Sequence, residues 1–486
     1  MFEGLSARVQ AWDAWTDDPR YRAVGVIFGL VTMAVILALP LPAGLPEAGR
    51  RTAAVAALMA IWWVGRVMPM AVTALIPLVA FPLLSVASVK EAAAPFAHPL
   101  NFLMLGGFLL AAGMDRVGLH RRLTAIVLRP AWVRGDPRRV VLALMVVTAV
   151  LSGLVSNTAT MVMMLPLAQS LGRMCSDDKR TVSGFALALA YAASIGGVWS
   201  LVGTPPNAVF AAQAAKEGFD IGFAQWMTIG VPFTVVALPI AWFVVTYLAI
   251  PIRRPDDWDL QAPAVPEWAV GERPVLLVVA LTMSAWLTRS QWQVLLPYSG
   301  VELDAMVAIG AAMAIFLLPG RTPDGSRRFL LHWREAERAV PWSVILLLGG
   351  GFSLASQIQA TQLTAWLASG AHQLEGYPVL ATTLAVTTSM TFITELTSNT
   401  ASTQIALPLV AEAAVRAQVQ PLVWMVPATI SASCAFMMPV ATAPNAIATE
   451  AGGVSPADMA VAGLFLNMIM AVVVAVLAVV LVPFLF

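Results

Sequence analysis

Long, continuous apolar runs constrain this chain more than any other feature of its sequence. Runs of roughly 20 apolar residues recur, as a bilayer-spanning helix requires. Clear examples cover residues 23–43, 225–250, 274–288 and 460–486. The hydrocarbon core has no water to bond backbone groups, so only helices and closed barrels cross it, and barrel strands would alternate apolar with polar residues. The runs therefore predict an all-α, polytopic, multi-pass protein of the cell (inner or plasma) membrane.

Composition agrees with this class and excludes several others. Hydrophobic residues make up 59% of the 486 residues, charged residues make up 11%, and the mean hydropathy is +0.80. A net charge of +1 provides no broad basic surface, so no nucleic acid is expected as a partner. Cys175 and Cys434 lie far apart, and the four histidines lack metal-ligand spacing. Neither a disulfide framework nor a zinc site is indicated.

Three short elements each occur twice, in the same order along the chain. The pairs are LGGF (105–108) with LGGGF (348–352), SNTAT (156–160) with SNTAS (398–402), and VGTPPNAVFAAQA (202–214) with VATAPNAIATEAG (440–452). Three matched elements at nearly constant separation indicate an internal duplication.

The connecting segments carry different charges in the two halves. The stretch 114–139 contains seven arginines, whereas its counterpart 353–378 contains no lysine or arginine. Because short cytoplasmic connections collect basic residues, the first is expected to face the cytoplasm and the second to face outward. The arginine-bearing links 253–273 and 321–338 also fall on the cytoplasmic side when four spans separate the repeats. The pattern predicts inverted-topology repeats and about 11 transmembrane helices.

Prolines and small residues flank each SNT motif, which predicts two re-entrant helical hairpins with SNT at their tips. Non-helical backbone at membrane depth persists only where protein or water satisfies it, so such a tip resembles a binding site. The Pro-Asn steps at 205–207 and 444–445 predict a break in a later helix of each half. Helix N-termini offer N–H groups to anions, and carbonyls at helix ends attract cations.

Basic side chains are missing from the motif segments. No Lys, Arg or His occurs in 140–172, 185–215, 379–411 or 417–486. An unpaired dianion in a low-dielectric site would cost on the order of tens of kcal/mol in the Born limit, whereas a helix terminus contributes about 0.3 to 2 kcal/mol. Bound cations would close that gap, and carbonyl, hydroxyl and amide oxygens suit an alkali cation. The resulting hypothesis is sodium-coupled anion transport.

Together, LGGF, SNTAT, VGTPPNA, FITELTSNTAS and PVATAPNA resemble, in content and order, the divalent anion/sodium symporter family. The resemblance covers nearly the whole chain. It implies a homodimer in which scaffold domains hold the interface while a transport domain moves across the membrane like an elevator. It also implies co-transported sodium ions and an anionic small molecule as substrate, chiefly a C4-dicarboxylate such as succinate, malate or fumarate.

The resemblance further implies particular site residues. Substrate contacts are expected from both motifs and both helix breaks, through Ser156, Asn157, Thr158, Thr204, Ser398, Asn399, Thr400 and Thr442. One sodium site is expected at Ser152, Ser156, Asn157 and Gly203, and its inverted partner at Thr394, Thr397, Asn399 and Ala441. Several of these residues would contribute backbone carbonyls. The second break departs from the usual double proline by placing Ala443 before Pro444.

The same scheme divides the chain into six regions. They are an N-terminal interfacial segment (1–22), scaffold helices of repeat 1 (23–123), the transport region of repeat 1 with its SNT hairpin and GTPPN break (124–252), a cytoplasmic linker (253–273), scaffold helices of repeat 2 (274–367), and the transport region of repeat 2 with its SNT hairpin and ATAPN break (368–486).

Several alternatives stay open at this stage. A sodium-independent dicarboxylate or tricarboxylate exchanger, or a sulfate transporter of the same fold, would share the motifs. An exchanger is expected to carry fixed positive side chains near the hairpin tips. An intramembrane hydrolase would need a nucleophile and a positioned base, and no histidine lies in the motif segments, so no enzyme activity is expected. Glu395 is either a functional intramembrane carboxylate or a partner for freed N–H groups.

Overall fold

The computed structural model describes residues 19–256, 258–321 and 327–486, in which helices dominate. Helices of the first half are α1 (Pro19–Ala38), α2 (Glu47–Val64), α3 (Met70–Thr73), α4 (Ile76–Leu83), α5 (Val89–Ala93), α6 (Pro99–Arg116), α7 (Leu119–Leu128), α8 (Ala131–Arg134), α9 (Pro137–Ser152), α10 (Asn157–Cys175), α11 (Lys179–Gly196), α12 (Pro205–Lys216) and α13 (Phe223–Phe243). A π-helical extension, Val244–Ala249, continues α13.

The second half of the chain is also mainly helical. Its helices are α14 (Glu272–Leu287), α15 (Arg289–Trp292), α16 (Gly300–Leu317), α17 (Trp333–Ala339), α18 (Trp342–Ala360), α19 (Leu363–Leu367), α20 (Val379–Leu396), α21 (Asn399–Arg416), α22 (Pro421–Ala432), α23 (Ala443–Glu450) and α24 (Pro456–Leu485). Between α16 and α17, strand β1 (Pro319–Arg321) pairs antiparallel with β2 (Arg327–Phe329). Short 3-10 turns cover Ala94–Ala97, Gln293–Leu295 and Ala368–Leu374.

In the part of the chain that the structure describes, seven helices are long and apolar enough to cross a membrane. They are Pro19–Ala38, Val89–Arg116, Phe223–Ala249, Gly300–Leu317, Trp342–Ala360, Val379–Leu396 and Pro456–Leu485. The predicted polytopic, helical architecture is therefore confirmed, except that the predicted all-α fold also contains the short antiparallel pair β1–β2. The figure of about 11 spans stays a prediction.

The first apolar run begins and ends earlier than its sequence indicates. Helix α1 ends at Ala38 rather than near residue 43, because Pro40 disfavours helical backbone at the residue before it. Most of the predicted interfacial segment, residues 1–18, lies outside the described residues. Its last four residues, 19–22, form the first turn of α1.

The two LGGF-type helices are built alike. Helix α6 is followed by Gly118 at φ +69°, after which α7 begins. Helix α18 is followed by Gln362 at φ +58°, after which α19 begins. A left-handed residue closes the first helix and redirects the chain. The matched sequences therefore produce the same helix, bend and helix in each half.

A glycine of each motif allows another segment to approach closely. A Cβ on Gly106 would lie 2.5 Å from the backbone carbon of Ala308 in α16. A Cβ on Gly350 would lie 2.0 Å from the carbonyl oxygen of Ala74, the residue that follows α3. Each motif helix thus packs, backbone to backbone, against a segment from the other half of the chain, as small residues permit in membranes.

Two helices form the centre of the molecule. Every residue is buried from Ser183 to Gly196 in α11 and from Leu422 to Ala432 in α22. A helix that is apolar on all faces belongs in a core. The hydroxyl of Tyr191 in α11 lies 2.8 Å from the Phe436 carbonyl oxygen and 3.2 Å from the Met459 carbonyl oxygen, which ties α11 to the other half. Both helices lead directly into the predicted breaks and so hold them in place.

Candidate ligand-binding cavity

Each Pro-Asn step ends one helix and begins another. Proline cannot donate an N–H within a helix but suits its first turn, so Pro205 opens α12 after the chain leaves α11 at Gly196. Asn207 then donates its Nδ2 to the freed carbonyls of Gly197 (3.1 Å) and Ser200 (2.7 Å).

The second break has the same construction. Helix α22 ends at Ala432 and α23 begins at Ala443, with Pro444 in its first turn. Asn445 donates its Nδ2 to the carbonyls of Ala435 (2.9 Å) and Met438 (3.1 Å). The asparagine therefore satisfies carbonyls that the break has exposed, as a buried polar backbone requires.

Four helices begin at the repeated motifs, and their first residues face one another. Ser156 and Ser398 are the N-caps of α10 and α21, and Thr204 and Thr442 are the N-caps of α12 and α23. Ser156 Oγ accepts from the N–H of Ala159 (3.2 Å). Each N-terminus carries free N–H groups and a partial positive charge, which together attract an anion.

These N-termini surround one cavity of about 470 Å³. The cavity is lined by Phe108, Ser156, Asn157, Thr158, Ala159, Gly203, Thr204, Pro205, Arg338, Ala339, Val340, Pro341, Val344, Ser398, Asn399, Thr400, Ala441, Thr442, Ala443 and Pro444. All eight residues named from the sequence as substrate contacts lie in its wall. Ala443, where the second break lacks a proline, also faces the cavity and is exposed.

An oxygen cluster lies beside the first motif. Ser152 Oγ lies 2.6 Å from the Ala193 carbonyl oxygen and 2.7 Å from the terminal amide atom of Asn157. The same amide atom lies 3.2 Å from the Gly203 carbonyl oxygen. If this atom is nitrogen, it donates to its neighbours; if it is oxygen, four oxygens converge as an alkali cation requires. An amide offers both arrangements by rotating.

A matching cluster lies beside the second motif. Thr394 Oγ1 lies 2.8 Å from Asn399 Oδ1 and 2.9 Å from the Ala432 carbonyl oxygen. A hydroxyl carries one proton and can donate to only one of these oxygens. Ala441, in the second break, is buried and lines the cavity. The contacts of Thr394 and Asn399 repeat those of Ser152 and Asn157.

Thr397 differs from the other residues predicted for this cation site. Its hydroxyl donates to the Ile393 carbonyl (3.0 Å) and contacts the hydroxyl of Ser402. The hydroxyl is therefore engaged by Ile393 and Ser402 and not by Thr394 or Asn399, so we expect Thr397 to offer its backbone to that cluster.

The sequence left the role of Glu395 open, and the structure gives it a definite set of partners. Its carboxylate accepts from the consecutive N–H groups of Phe436 (2.7 Å), Met437 (2.8 Å) and Met438 (2.9 Å). Asn467 Nδ2 donates a fourth hydrogen bond at 2.6 Å. Glu395 thus holds the segment that leads from α22 into the second break.

The first half holds the segment that leads into its break without a carboxylate. The residue that matches Glu395 is Gly153, and a Cβ there would lie 2.0 Å from Trp199 Nε1. Ser200 Oγ donates to the Gly153 carbonyl and accepts from the N–H of Gly203 at 3.1 Å. The two halves therefore share their asparagine contacts but differ in fixed charge.

Two arginines reach this region from distant segments, contrary to the expectation that no cationic side chain would be near. Arg338, at the end of α17, lines the cavity and is exposed, so it lies at the rim and does not fill the interior. Arg66, after α2, donates to the Val440 carbonyl in the second break. The prediction was wrong because it considered only the motif segments. Arg338 lies shortly before the LGGGF helix α18, and this closeness to a repeated motif could have indicated from the sequence that it lies near the cavity.

A helical membrane protein whose repeated motifs line one cavity has the architecture expected of a membrane transporter. A model of the citrate transporter family matches residues 57–429. The chain belongs to this family, and its resemblance to the divalent anion/sodium symporters is confirmed. It is accordingly a multi-pass protein of the cell membrane.

Similar curated proteins carry a more specific description. The sodium-dependent dicarboxylate transporter SdcS of Staphylococcus saprophyticus is 33% identical over 477 residues, which cover 95% of this chain and 91% of that protein. SdcS of Staphylococcus aureus is 31% identical over 472 residues, which cover 93% and 89% respectively.

Two solved structures share the fold at low sequence identity. The YdaH transporter of Alcanivorax borkumensis superposes with a TM-score of 0.57 and 14% identity, covering 81% of this chain and 86% of that one. MtrF of Neisseria gonorrhoeae, from a class of antimetabolite efflux pumps, gives a TM-score of 0.55 and 13% identity, covering 94% and 93%. At these identities the likeness concerns the fold alone.

Proposed function

We propose that this protein is a sodium-coupled symporter of divalent anions, chiefly C4-dicarboxylates such as succinate, malate or fumarate. One observation carries the proposal: residues of both SNT motifs and both helix breaks line one cavity. The names of the SdcS relatives support the same substrate class and the same coupling ion.

The substrate would lie among the four helix N-termini. The hydroxyl and amide groups of Ser156, Asn157, Ser398 and Asn399 provide donors to carboxylate oxygens, with Thr158, Thr204, Thr400 and Thr442 completing the wall. Each N-terminus contributes about 0.3 to 1 kcal/mol toward an anion, which is far below the cost of desolvating two negative charges. Transport requires no covalent step, so no catalytic residue is proposed.

Sodium ions would supply the missing positive charge. The first would bind at Ser152, Ser156, Asn157 and Gly203, and the second at Thr394, Thr397, Asn399 and Ala441. The hydroxyl of Ser152 and the carbonyl oxygens of Ala193 and Gly203 meet at the terminal amide of Asn157, which presents its oxygen to a cation when it rotates. This arrangement supports the first site, since hard oxygen ligands suit a hard cation. Two bound cations next to a dianion would make the cavity nearly neutral, which is why ion and anion bind together.

The larger architecture is proposed on the same basis. The order of helix, break and helix around each SNT motif supports two re-entrant hairpins, and the matched asparagine contacts support a repeated unit. The two units would be inverted relative to each other, with about 11 spans in all. Regions 124–252 and 368–486 would form the transport domain, and 23–123 with 274–367 the scaffold. Two copies would associate through their scaffolds and work by an elevator motion.

Uptake of labelled succinate into proteoliposomes tests the function directly. Sodium, potassium or lithium is supplied outside at equal concentration, and unlabelled malate, sulfate and citrate compete in parallel. Uptake that depends on sodium supports the proposal. Equal uptake in all three cations contradicts sodium coupling, and sulfate competing better than malate contradicts the substrate class.

A sodium-independent exchanger is the second candidate, and Arg338 at the cavity favours it, because an exchanger needs fixed positive charge near its substrate. One arginine balances only half of a dianion. Uptake that is driven by succinate preloaded inside the vesicles, with potassium as the only cation, would support this alternative.

A further inference from the structure

Arg338 is the one charged residue, among those described, in the wall of the cavity. It is located in the last turn of α17, and Ala339, Val340 and Pro341 continue the same wall toward α18. The side chain is exposed, whereas the cavity interior is formed by hydroxyl, amide and apolar groups. A guanidinium is thus located where the cavity meets its surroundings.

The guanidinium of Arg338 is available to a ligand. Glu335, on the same helix, is engaged by other arginines: it binds Arg328 at 2.9 Å and lies 3.8 Å from Arg116. Within the described residues, Arg338 forms no ion pair and its side chain donates no hydrogen bond. Unlike Arg328 and Arg116, it is not neutralised by a neighbouring acid.

A single positive charge at the mouth of an otherwise uncharged cleft has predictable effects. Clefts with low-dielectric walls focus the field and raise the local concentration of an oppositely charged solute. The attraction scales with the solute's charge, so a dianion gains twice what a monoanion gains. Exposed charges act over about 8 Å at physiological ionic strength, so added salt weakens the effect.

We propose that Arg338 captures the dianionic substrate at the opening of this cavity, on a single face of the membrane, and that it favours dianions over monoanions. The inference rests on the proposed function and adds a residue that the repeated motifs do not contain. Arg338 contacts the substrate as it enters the cavity. It no longer contacts the substrate once the motifs have bound it, because the rim lies outside the ring of helix N-termini. The motifs bind; Arg338 selects by charge.

The test compares Arg338→Gln with Arg338→Lys and with Arg334→Gln. Arg334 is on the same exposed helix, one turn earlier, and does not line the cavity. KM and kcat for succinate are measured in right-side-out and inside-out membrane vesicles, at fixed sodium and at low and high ionic strength. Succinate monomethyl ester serves as a monoanionic competitor.

For Arg338→Gln we expect KM for succinate to rise about fivefold on one face only, with kcat within twofold, as loss of one attractive charge implies. The rise shrinks at high ionic strength, and inhibition by the monoester weakens less than succinate affinity does. Arg338→Lys stays within twofold of the unsubstituted protein, and Arg334→Gln has no effect.

Three results overturn the inference: an unchanged KM in Arg338→Gln, an equal rise on both faces, or an equal rise in Arg334→Gln. The unsubstituted protein separates this failure from failure of the proposed function. If it takes up no succinate with sodium, the function is wrong; if it does and Arg338→Gln behaves like it, only the role of Arg338 is wrong.

Discussion

Ser152 and Thr394 occupy matching positions, and each hydroxyl, which carries one proton, lies between a carbonyl oxygen and the side-chain amide of an asparagine. Ser152 lies between the amide of Asn157 and the Ala193 carbonyl, and Thr394 lies between the amide of Asn399 and the Ala432 carbonyl. One of the two contacts in each cluster therefore needs an amide proton or a cation. A cluster that can be completed either by an amide proton or by a cation can bind an ion and later release it.

Thr394→Val keeps the side-chain shape but removes the hydroxyl. The sodium concentration for half-maximal uptake is expected to rise roughly fivefold, as the loss of about 1 kcal/mol implies. KM for succinate at saturating sodium should change little. Thr382→Val is the matched control, because Thr382 is on the same helix and its hydroxyl donates only to the Val379 carbonyl at 3.0 Å. Identical sodium dependence in the two variants would contradict a cation site at Thr394.

Glu395→Gln tests the anchoring of the second break. An amide nitrogen cannot accept from Met438, so a partly buried N–H would lose its charged partner, at a cost of about 1.5 to 3 kcal/mol. A lower thermal unfolding midpoint in detergent and reduced uptake are expected. Glu412→Gln is the control, since Glu412 pairs with Arg416 one turn away at 2.8 Å on a partly exposed surface. If both variants unfold at the wild-type temperature, Glu395 does not hold the break.

At the scale of elements, the two breaks matter because they place helix N-termini and free carbonyls side by side. The first break passes through Gly203, where a Cβ would lie 2.4 Å from the Gly197 carbonyl oxygen and 2.9 Å from Gly153 Cα. Such distances leave no room for a methyl group without moving backbone. The close approach of three backbone segments is therefore part of the predicted cation site.

Gly203→Ala is expected to abolish most sodium-dependent uptake, because the Gly203 carbonyl must move away from Asn157. Gly310→Ala in α16 is the control, since its Cβ would meet nothing within 4 Å. Expression and membrane insertion of both variants should match the unsubstituted protein when followed by fluorescence-detection size-exclusion chromatography. Full uptake by Gly203→Ala would show that the break tolerates expansion and that this carbonyl is not a ligand.

A contact between Arg66 and the second break links two elements far apart in the sequence. Arg66 has a left-handed backbone (φ +49°), a conformation that costs a non-glycine residue roughly 1 to 3 kcal/mol, and it donates to the Val440 carbonyl. Under the proposed division, Arg66 is on the scaffold and Val440 on the transport domain. The contact would then exist in this arrangement and be broken when the transport domain moves.

Arg66→Gln is therefore expected to lower the population of this arrangement. With Thr158→Cys as a reporter facing the cavity, labelling by an impermeant thiol reagent should slow severalfold. The native Cys175 and Cys434 are buried and give little background. Arg51→Gln is the control, because Arg51 bonds Glu47 and the Leu84 carbonyl within the same helical group. An equal labelling rate in all three proteins would rule out a state-specific contact.

For the whole molecule, pattern alone predicted a large part of the arrangement. Hydrophobic runs predicted the helices, and the repeated order of motifs predicted that residues near 156 and 398 would share one site. This worked because proline and asparagine act locally: proline fixes where a helix begins, and asparagine satisfies the carbonyls left over. Ends of helices were less predictable than the runs themselves, because hydropathy continues past a proline that ends the helix, as it does past Pro40 after α1.

Other features depend on tertiary contacts that no local pattern encodes. Arg338 and Arg66 approach the motifs only because of where α17 and α2 lie in the folded chain. Apart from the closeness of Arg338 to the LGGGF motif, the residues around each arginine contain no pattern that predicts this position. Glu395 was noticed as an intramembrane carboxylate, but its three N–H donors come from a segment about 40 positions further along the chain. The hydrogen-bond partners of the Thr397 side chain could not be predicted either, since a position in a motif does not determine a rotamer.

The central claim is that cations bound beside the two motifs, rather than basic side chains, allow a dianion to bind inside the membrane. Equilibrium binding of labelled succinate to the purified protein tests it most directly, in sodium chloride and in choline chloride at equal ionic strength. The account predicts saturable binding in sodium and affinity at least tenfold weaker in choline. Equal affinity in both salts would contradict it, because the arginines would then suffice.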